Sequence, residues 1–182
     1  MSTSSSTTES PRPPVVLSSN RTVSTSAPCM PHIRDLVAED LGIAPAHRQR
    51  DLWEVLDQPD QIIPMTGPTS HPRQSPWGRC DNIEVIAPGM VRVHTAGHGG
   101  IHLDSWRTKM LPPAFRRSAQ QWFEEDCACA IPMVAFHREF TERQVRGAIA
   151  TLRNTFPDLY EEYFQATIPE GLSYEKDKQL FI

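Results

Sequence analysis

The sequence has no long run of apolar residues. Nowhere in its 182 residues does a stretch approach the roughly 20 apolar side chains needed to cross a bilayer. The first thirty residues also lack the basic start and apolar centre of a secretory signal, since their longest aliphatic run is VVL at 15–17. We therefore expect a soluble, cytoplasmic protein without membrane association.

Cysteine and positive charge are both scarce. The four cysteines, at 29, 80, 127 and 129, lack the spacing of a disulfide framework, which indicates reduced thiols. The 18 lysines and arginines are outnumbered by 22 acidic residues, so the net charge is −4. A nucleic acid is therefore an unlikely partner, because proteins that coat nucleic acids carry an excess of positive charge.

Serine, threonine and proline dominate the start of the chain, with nine, five and four copies in the first thirty residues. Such a segment buries too little apolar surface to offset its ordering entropy, so residues 1–30 are predicted to form a disordered tail. Apolar residues at helical spacing then predict an N-terminal helical segment over 31–57, with helices at about 32–43 and 46–56. The following prolines exclude regular structure and predict a linker over 58–75.

A β pattern begins at Asn82. Residues 83–96 form two β-rich runs around Ala-Pro-Gly, which predicts a hairpin, and residues 101–104 predict a third short strand. Capping signatures at Ser118 and Thr141 predict two longer helices, over about 118–140 and 141–165. Pro132 should bend or break the first of these helices, because proline removes a backbone donor.

These elements predict the fold class and the domain limits. The class is α+β, a small antiparallel sheet over about 83–103 packed against a few helices, with a disordered N-terminal tail. The α+β core domain is predicted to span 76–168 and a C-terminal tail to span 169–182.

Titratable residues suggest one enzymatic hypothesis. His98 lies between glycines in a predicted turn, and the acids Glu124, Glu125 and Asp126 fall at the start of the predicted helix, followed by Cys127. These five residues would form the catalytic site of a hydrolase or metal-dependent enzyme, with Cys127 as a nucleophile. A structural interpretation is also open, because the helix dipole favours acids at this position and Cys127 lies on the predicted apolar stripe.

Histidine and cysteine also raise the question of zinc. His94, His98 and His102, with Cys127 and Cys129, include the ligand types that zinc prefers. Residues two apart on a helix point about 200° away from each other, however, so the two cysteines cannot easily share an ion. The sequence therefore predicts no metal site and no cofactor.

Aromatic and basic residues suggest a binding surface. Three tryptophans lie beside glycines or charges, and a basic stretch from Arg107 to Arg117 precedes the acids at 124–126. A face with both signs of charge suits a protein partner better than a nucleic acid. The predicted binding residues are Trp77, Trp106, Arg107, Arg116, Arg117 and Trp122.

Four motifs occur together in one order, namely PWG (76–78), HGG (98–100), WFEEDC (122–127) and PDLYE (157–161). Over about residues 75–165 the chain resembles a domain family of unknown function, number seven thousand and seven in that series. Gly97 stands where the family usually has serine. Members of the family that this chain resembles occur in phages, plasmids and integrated elements. Their genes often lie beside genes for anti-restriction or conjugation functions.

The resemblance implies a non-enzymatic accessory protein of a phage or other mobile genetic element. It would act by binding a host or element-encoded protein, such as a component of a host defence system. The alternative function is the hydrolase or metal-dependent enzyme described above. The shared motifs could instead be purely structural. In that case His98 would form a hydrogen-bonded pair with Glu124 or Asp126, and this pair would hold the turn against the predicted helix.

Overall fold

The structure is a computed structural model, and it describes residues 32–42, 71–118 and 120–179. The predicted tail, the helix over 46–56 and most of the predicted linker lie outside the described residues. The described helices are α1 (Ile33–Asp40), α2 (Ser105–Lys109), α3 (Ala130–Ala135), α4 (Glu142–Thr155), α5 (Pro157–Phe164) and α6 (Tyr174–Gln179), with 3-10 helices at Pro113–Ser118 and His137–Glu139. The strands are β1 (Gln74–Ser75), β2 (Gly78–Arg79), β3 (Asn82–Ala87), β4 (Met90–His94), β5 (Gly99–Leu103) and β6 (Trp122–Glu124).

The main sheet has four antiparallel strands in the order β3-β4-β5-β6. The predicted hairpin is confirmed as β3 and β4, and its turn uses Gly89, whose φ of 72° is costly for other residues. The predicted third strand is confirmed as β5. Helices packed on an antiparallel sheet also confirm the predicted α+β class.

The helix predicted from residue 118 is wrong. Residues 113–118 form a 3-10 helix, residues 122–124 form β6, and α3 begins only at Ala130. Phe123 is the register partner of Ile101, and its side chain is buried in the core. The pairing also gives hydrogen-bond partners to backbone groups of β5 that would otherwise have none. Pro132 is then tolerated, because it lies in the first turn of α3 where no backbone donor is needed.

The two faces of the sheet have different surroundings. Ile101, Leu103 and Phe123 face the main core, where they join apolar side chains of the helices. Residues alternate across a strand, so Gly100 and Glu124, which are register partners, belong to the opposite face. Glu124 therefore reaches the candidate site from this second face, at the end of β6.

The helix α4 begins where the capping signature at Thr141 predicts. At α4 the Thr141 hydroxyl accepts from the Gln144 amide and the Gln144 side chain accepts from the Thr141 amide, which confirms the capping box. At α5, Pro157 occupies the first turn, where its fixed φ suits a helix start.

Two further helices pack against α4 and α5. Residues Ile33, Leu36, Val37 and Leu41, in or just after α1, are buried in the main core. In the segment predicted as a C-terminal tail, α6 contacts the core through Lys176, whose Nζ lies 2.6 Å from Glu161 Oε1. Among the described residues, no helix is both long and apolar enough to span a membrane.

Candidate metal centre

The turn between β4 and β5 holds His98 by three hydrogen bonds to Thr95. The Thr95 amide and hydroxyl both donate to the His98 carbonyl, at 2.8 and 2.7 Å, and the His98 amide donates to the Thr95 hydroxyl at 3.2 Å. These bonds fix the backbone of the turn while the His98 residue is exposed. The imidazole is therefore presented to solvent on an ordered turn.

The pairing of β5 with β6 brings two carboxylates to this turn. Glu124 ends β6 opposite Gly100, and the Glu125 amide donates to the Gly99 carbonyl at 3.1 Å, which extends the pairing by one residue. Since Gly99 directly follows His98, both glutamates lie beside the histidine.

His98, Glu124 and Glu125 form a compact group, in which one ligand atom from each side chain lies within 4.8 Å of the other two. His98 and Glu125 are exposed, whereas Glu124 is half-buried. The Oε1 atom of Glu124 is buried and has no hydrogen-bond partner. One imidazole and two carboxylates at this separation have the composition of a divalent-metal site.

The two glycines of the HGG motif are needed for space. A Cβ atom on Gly99 would lie 2.5 Å from Glu125 Oε2, and one on Gly100 would lie 2.2 Å from the Phe123 carbonyl oxygen and 2.5 Å from Trp77 Cη2. Neither glycine has a positive φ. The motif therefore allows a carboxylate and an indole to approach the backbone of β5 closely.

Comparison with protein families gives one finding. The model described as "Domain of unknown function (DUF7007)" matches residues 70–182, which is more than half of the chain. The chain belongs to this family. The resemblance inferred from the four motifs is thereby confirmed. No curated protein and no solved structure matches the chain.

The PWG motif of this DUF7007 chain places Trp77 against Gly100, the register partner of Glu124. The Ser75 hydroxyl donates to the Gly78 carbonyl at 2.9 Å and accepts from the Trp77 amide at 3.2 Å, which closes the turn between β1 and β2. Gly78 has a φ of 129°, a value that favours glycine. The Trp77 ring then covers Gly100 and meets the Trp122 ring edge to face, at 5.8 Å between centroids.

His102 belongs to this aromatic cluster. Its ring lies 4.3 Å from the Trp122 ring centroid, and burial lowers its pKa although nearby Asp104 acts in the opposite direction. His102 therefore stacks as a neutral ring at neutral pH. It is absent from the metal-ligand group, as is His94, so the set of three histidines considered from the sequence does not form.

The rest of the EEDC motif lies outside the ligand group. Asp126 is exposed in the turn after β6 and is absent from the group with His98. Cys127 is half-buried and is not part of the main core, and its Sγ lies 3.9 Å from the Thr155 hydroxyl on α4. The acids lie on a strand and a turn, so the helix-dipole explanation for them is wrong.

Cys129 supports the turn that carries the glutamates, a role that the sequence analysis missed. Its amide donates to the Glu124 carbonyl at 2.8 Å, and its thiol donates to the Glu125 carbonyl at 3.0 Å. Burial raises the pKa of the Cys129 thiol to about 11, so it stays protonated at neutral pH and remains a donor. In the sequence, the contact between Cys129 and Glu125 was indicated only by their separation of four residues.

The hydrogen bonds to Thr95 involve only the backbone of His98 and do not hold its side chain. Among the described residues, no hydrogen bond or ion pair joins its side chain to Glu124, Glu125 or Asp126. The proposed lock between His98 and an acid is therefore not formed.

The predicted binding residues do not form one exposed surface. Arg107 is fully buried, with Nη2 3.0 Å from Glu139 Oε1 and the guanidinium 4.2 Å from the Phe136 ring centroid, so its assignment to a binding surface is wrong. Trp106 is 37% exposed and Arg116 is exposed, while the Arg117 side chain lies outside the described part. Binding of a host or element-encoded protein stays a prediction.

The PDLYE motif is explained by structure. The Tyr160 hydroxyl donates to Asp40 Oδ2 at 3.2 Å, and Glu161 Oε1 accepts from the Ile168 amide at 2.7 Å and from Lys176 Nζ at 2.6 Å. These contacts attach α1 and the C-terminal segment to α5. The motif stabilises the fold and contributes nothing to the ligand group.

Proposed function

We propose that this chain binds a divalent transition-metal ion through His98, Glu124 and Glu125 and uses it in hydrolytic chemistry. The observation that carries the proposal is the separation of at most 4.8 Å among their ligand atoms. An imidazole with two carboxylates suits zinc, manganese or ferrous iron better than magnesium or calcium, which favour ligand sets made of oxygen alone.

The three side chains need to move only slightly closer together to bind one ion. Two ligands bound at about 2.1 Å from one ion lie at most about 4.2 Å apart, which is close to the 4.8 Å within which the three ligand atoms lie here. His98 and Glu125 are exposed, so their rotamers can adjust without moving the sheet. The backbone of the His98 turn is already fixed by Thr95.

The buried oxygen of Glu124 favours the same proposal. Burying a polar oxygen without a partner costs free energy, and such atoms are rare in folded proteins. Glu124 Oε1 is such an atom, and Glu124 is one of the three residues of the ligand group. A bound cation would satisfy it.

Three protein ligands on an exposed surface leave coordination positions open to water and substrate. This arrangement is typical of catalytic rather than structural metal sites. A metal bound here would lower the pKa of a coordinated water and supply a hydroxide nucleophile. Cys127 is not required for this chemistry.

The test is a titration of the metal-stripped protein with zinc and with manganese, followed by calorimetry. We expect one equivalent to bind, and we expect His98→Ala, Glu124→Gln and Glu125→Gln each to weaken binding at least tenfold. Asp126→Asn is the matched control, since Asp126 is an adjacent acid outside the group. No binding to the wild type, or equal loss in the Asp126 variant, would contradict the proposal.

A further inference from the structure

We infer that Gly99 is a positioning residue for Glu125, because the space left by its missing side chain places the Glu125 carboxylate beside His98. This inference rests on the proposed function, since the position of Glu125 matters only if it binds a metal. Gly99 touches no ion itself and acts through the carboxylate.

Space is the only reason for glycine at this position. Gly99 lies in β5 without a positive φ, so its backbone conformation is open to other residues. A Cβ atom there would lie 2.5 Å from Glu125 Oε2 and 3.3 Å from Glu125 Cδ. The carboxylate therefore occupies the place that any side chain at position 99 would take.

The backbone on both sides of this contact is held in place. The Glu125 amide donates to the Gly99 carbonyl, and the Glu125 carbonyl accepts from the Cys129 thiol at 3.0 Å. A new Cβ atom would also lie 2.9 Å from the Val93 carbonyl oxygen of the neighbouring strand. Position 99 must therefore shift slightly relative to this carbonyl, and the Glu125 carboxylate, which is closer and belongs to an exposed side chain, should be displaced from His98.

Gly97 supplies a matched control. It lies two residues before Gly99 in the same turn, has no positive φ, and a Cβ atom there would meet nothing within 4 Å. Gly97→Ala therefore changes the same residue type in the same turn without approaching Glu125.

The experiment measures zinc affinity by calorimetry in five full-length proteins: the wild type, Gly97→Ala, Gly99→Ala, Glu125→Gln and the double variant Gly99→Ala/Glu125→Gln. Gly97→Ala should bind like the wild type, and Gly99→Ala should bind at least tenfold more weakly. The double variant should bind no more weakly than Glu125→Gln alone, because both changes act on the same carboxylate.

The outcomes separate this inference from the proposed function. Absence of zinc binding in the wild type overturns the proposed function. Wild-type binding with equal affinity in Gly99→Ala overturns the role of Gly99 alone. A further loss in the double variant also overturns it, since Gly99 would then act on the fold and not through Glu125.

A second variant keeps the inference testable if Gly99→Ala does not fold. Glu125→Asp retains the charge but shortens the side chain, which withdraws the carboxylate from above Gly99. It should weaken zinc binding at least tenfold with an unchanged melting temperature. Binding equal to that of the wild type would show that the position over Gly99 has no role in metal binding.

Discussion

Gly99 and Gly100 are neighbours on β5, yet they make room for different groups. Gly99 admits the Glu125 carboxylate, whereas Gly100 admits the Trp77 ring and the Phe123 carbonyl. One glycine thus shapes the ligand group and the other allows the strands and the indole to pack. Adjacent residues of this strand belong to opposite faces of the sheet, so the HGG motif has chemical consequences on one side and structural consequences on the other.

His102, which shares a face of the sheet with Gly100 and Glu124, is a residue whose protonation should affect stability. Its folded-state pKa lies below the ordinary value of 6.5, chiefly through burial, so the unfolded chain binds a proton first as the pH falls. The stability contributed by the neutral ring is present above about pH 6.5 and is lost below it. The slope cannot exceed about 1.4 kcal/mol per pH unit, the value for one proton.

We therefore expect His102→Phe to flatten the pH dependence of stability between pH 5 and 7 in the metal-free protein. The phenyl ring retains the stacking on Trp122 but cannot titrate. The measurement is the free energy of unfolding in urea at several pH values for both proteins. Parallel pH profiles would show that His102 does not cause the acid destabilisation.

Single residues of the site could be selected from the sequence, but their geometry could not. His98, Glu124 and Glu125 stood out because titratable residues near a glycine-rich turn suggest chemistry. The sequence did not show that Glu124 would pair opposite Gly100, because strand pairing depends on residues far apart in the chain. The proposed metal site depends on this pairing, so the sequence alone did not predict it.

Among the secondary-structure elements, the predicted and the observed structure differ most at β6. The signature Ser118-x-x-Gln121 and the apolar stripe after it favoured a helix, but three residues from Trp122 pair with β5 instead. Tertiary pairing overrides local propensity in such short segments. The predictions succeeded at β4 and α4, where a long periodic pattern or a complete capping box dominates.

One nearly buried ion pair joins α1 to α4, beside their apolar contacts. Arg153 Nη1 lies 3.2 Å from Asp40 Oδ1 and donates to the Asp40 carbonyl at 2.8 Å, and both side chains are less than 15% exposed. Burial raises the pKa of Asp40, although Arg153 and the Tyr160 hydrogen bond lower it. Removal of Arg153 would leave a carboxylate in a poorly solvated place.

We expect Arg153→Met to lower the free energy of unfolding by about 2 kcal/mol at pH 7, less than for a fully buried pair. The loss should shrink towards pH 4, because Asp40 without its cation protonates more readily and then carries no charge. Urea denaturation at both pH values measures this difference. Arg146→Met is the control, since Arg146 forms exposed pairs with Glu39 and Glu142, and its loss should be much smaller.

At the level of the whole molecule, the family match and the core do not have the same limits. The match begins at residue 70, but α1 lies before it and contributes buried apolar side chains to the same core as the sheet and the later helices. Tyr160 and Arg153, both within the matched region, also have their partner Asp40 on α1. The stable unit therefore extends beyond the matched residues.

A chain that begins at residue 70 should consequently be less stable than the full chain by several kcal/mol. It would expose the surface that Leu36 and Val37 cover, and each fully buried side chain of this kind contributes about 1.5–3 kcal/mol as an upper bound. Urea denaturation should show a lower midpoint for the shorter chain. A chain that begins at residue 32 retains α1 and serves as the control, and equal midpoints for all three proteins would show that α1 contributes nothing to the stability of the core.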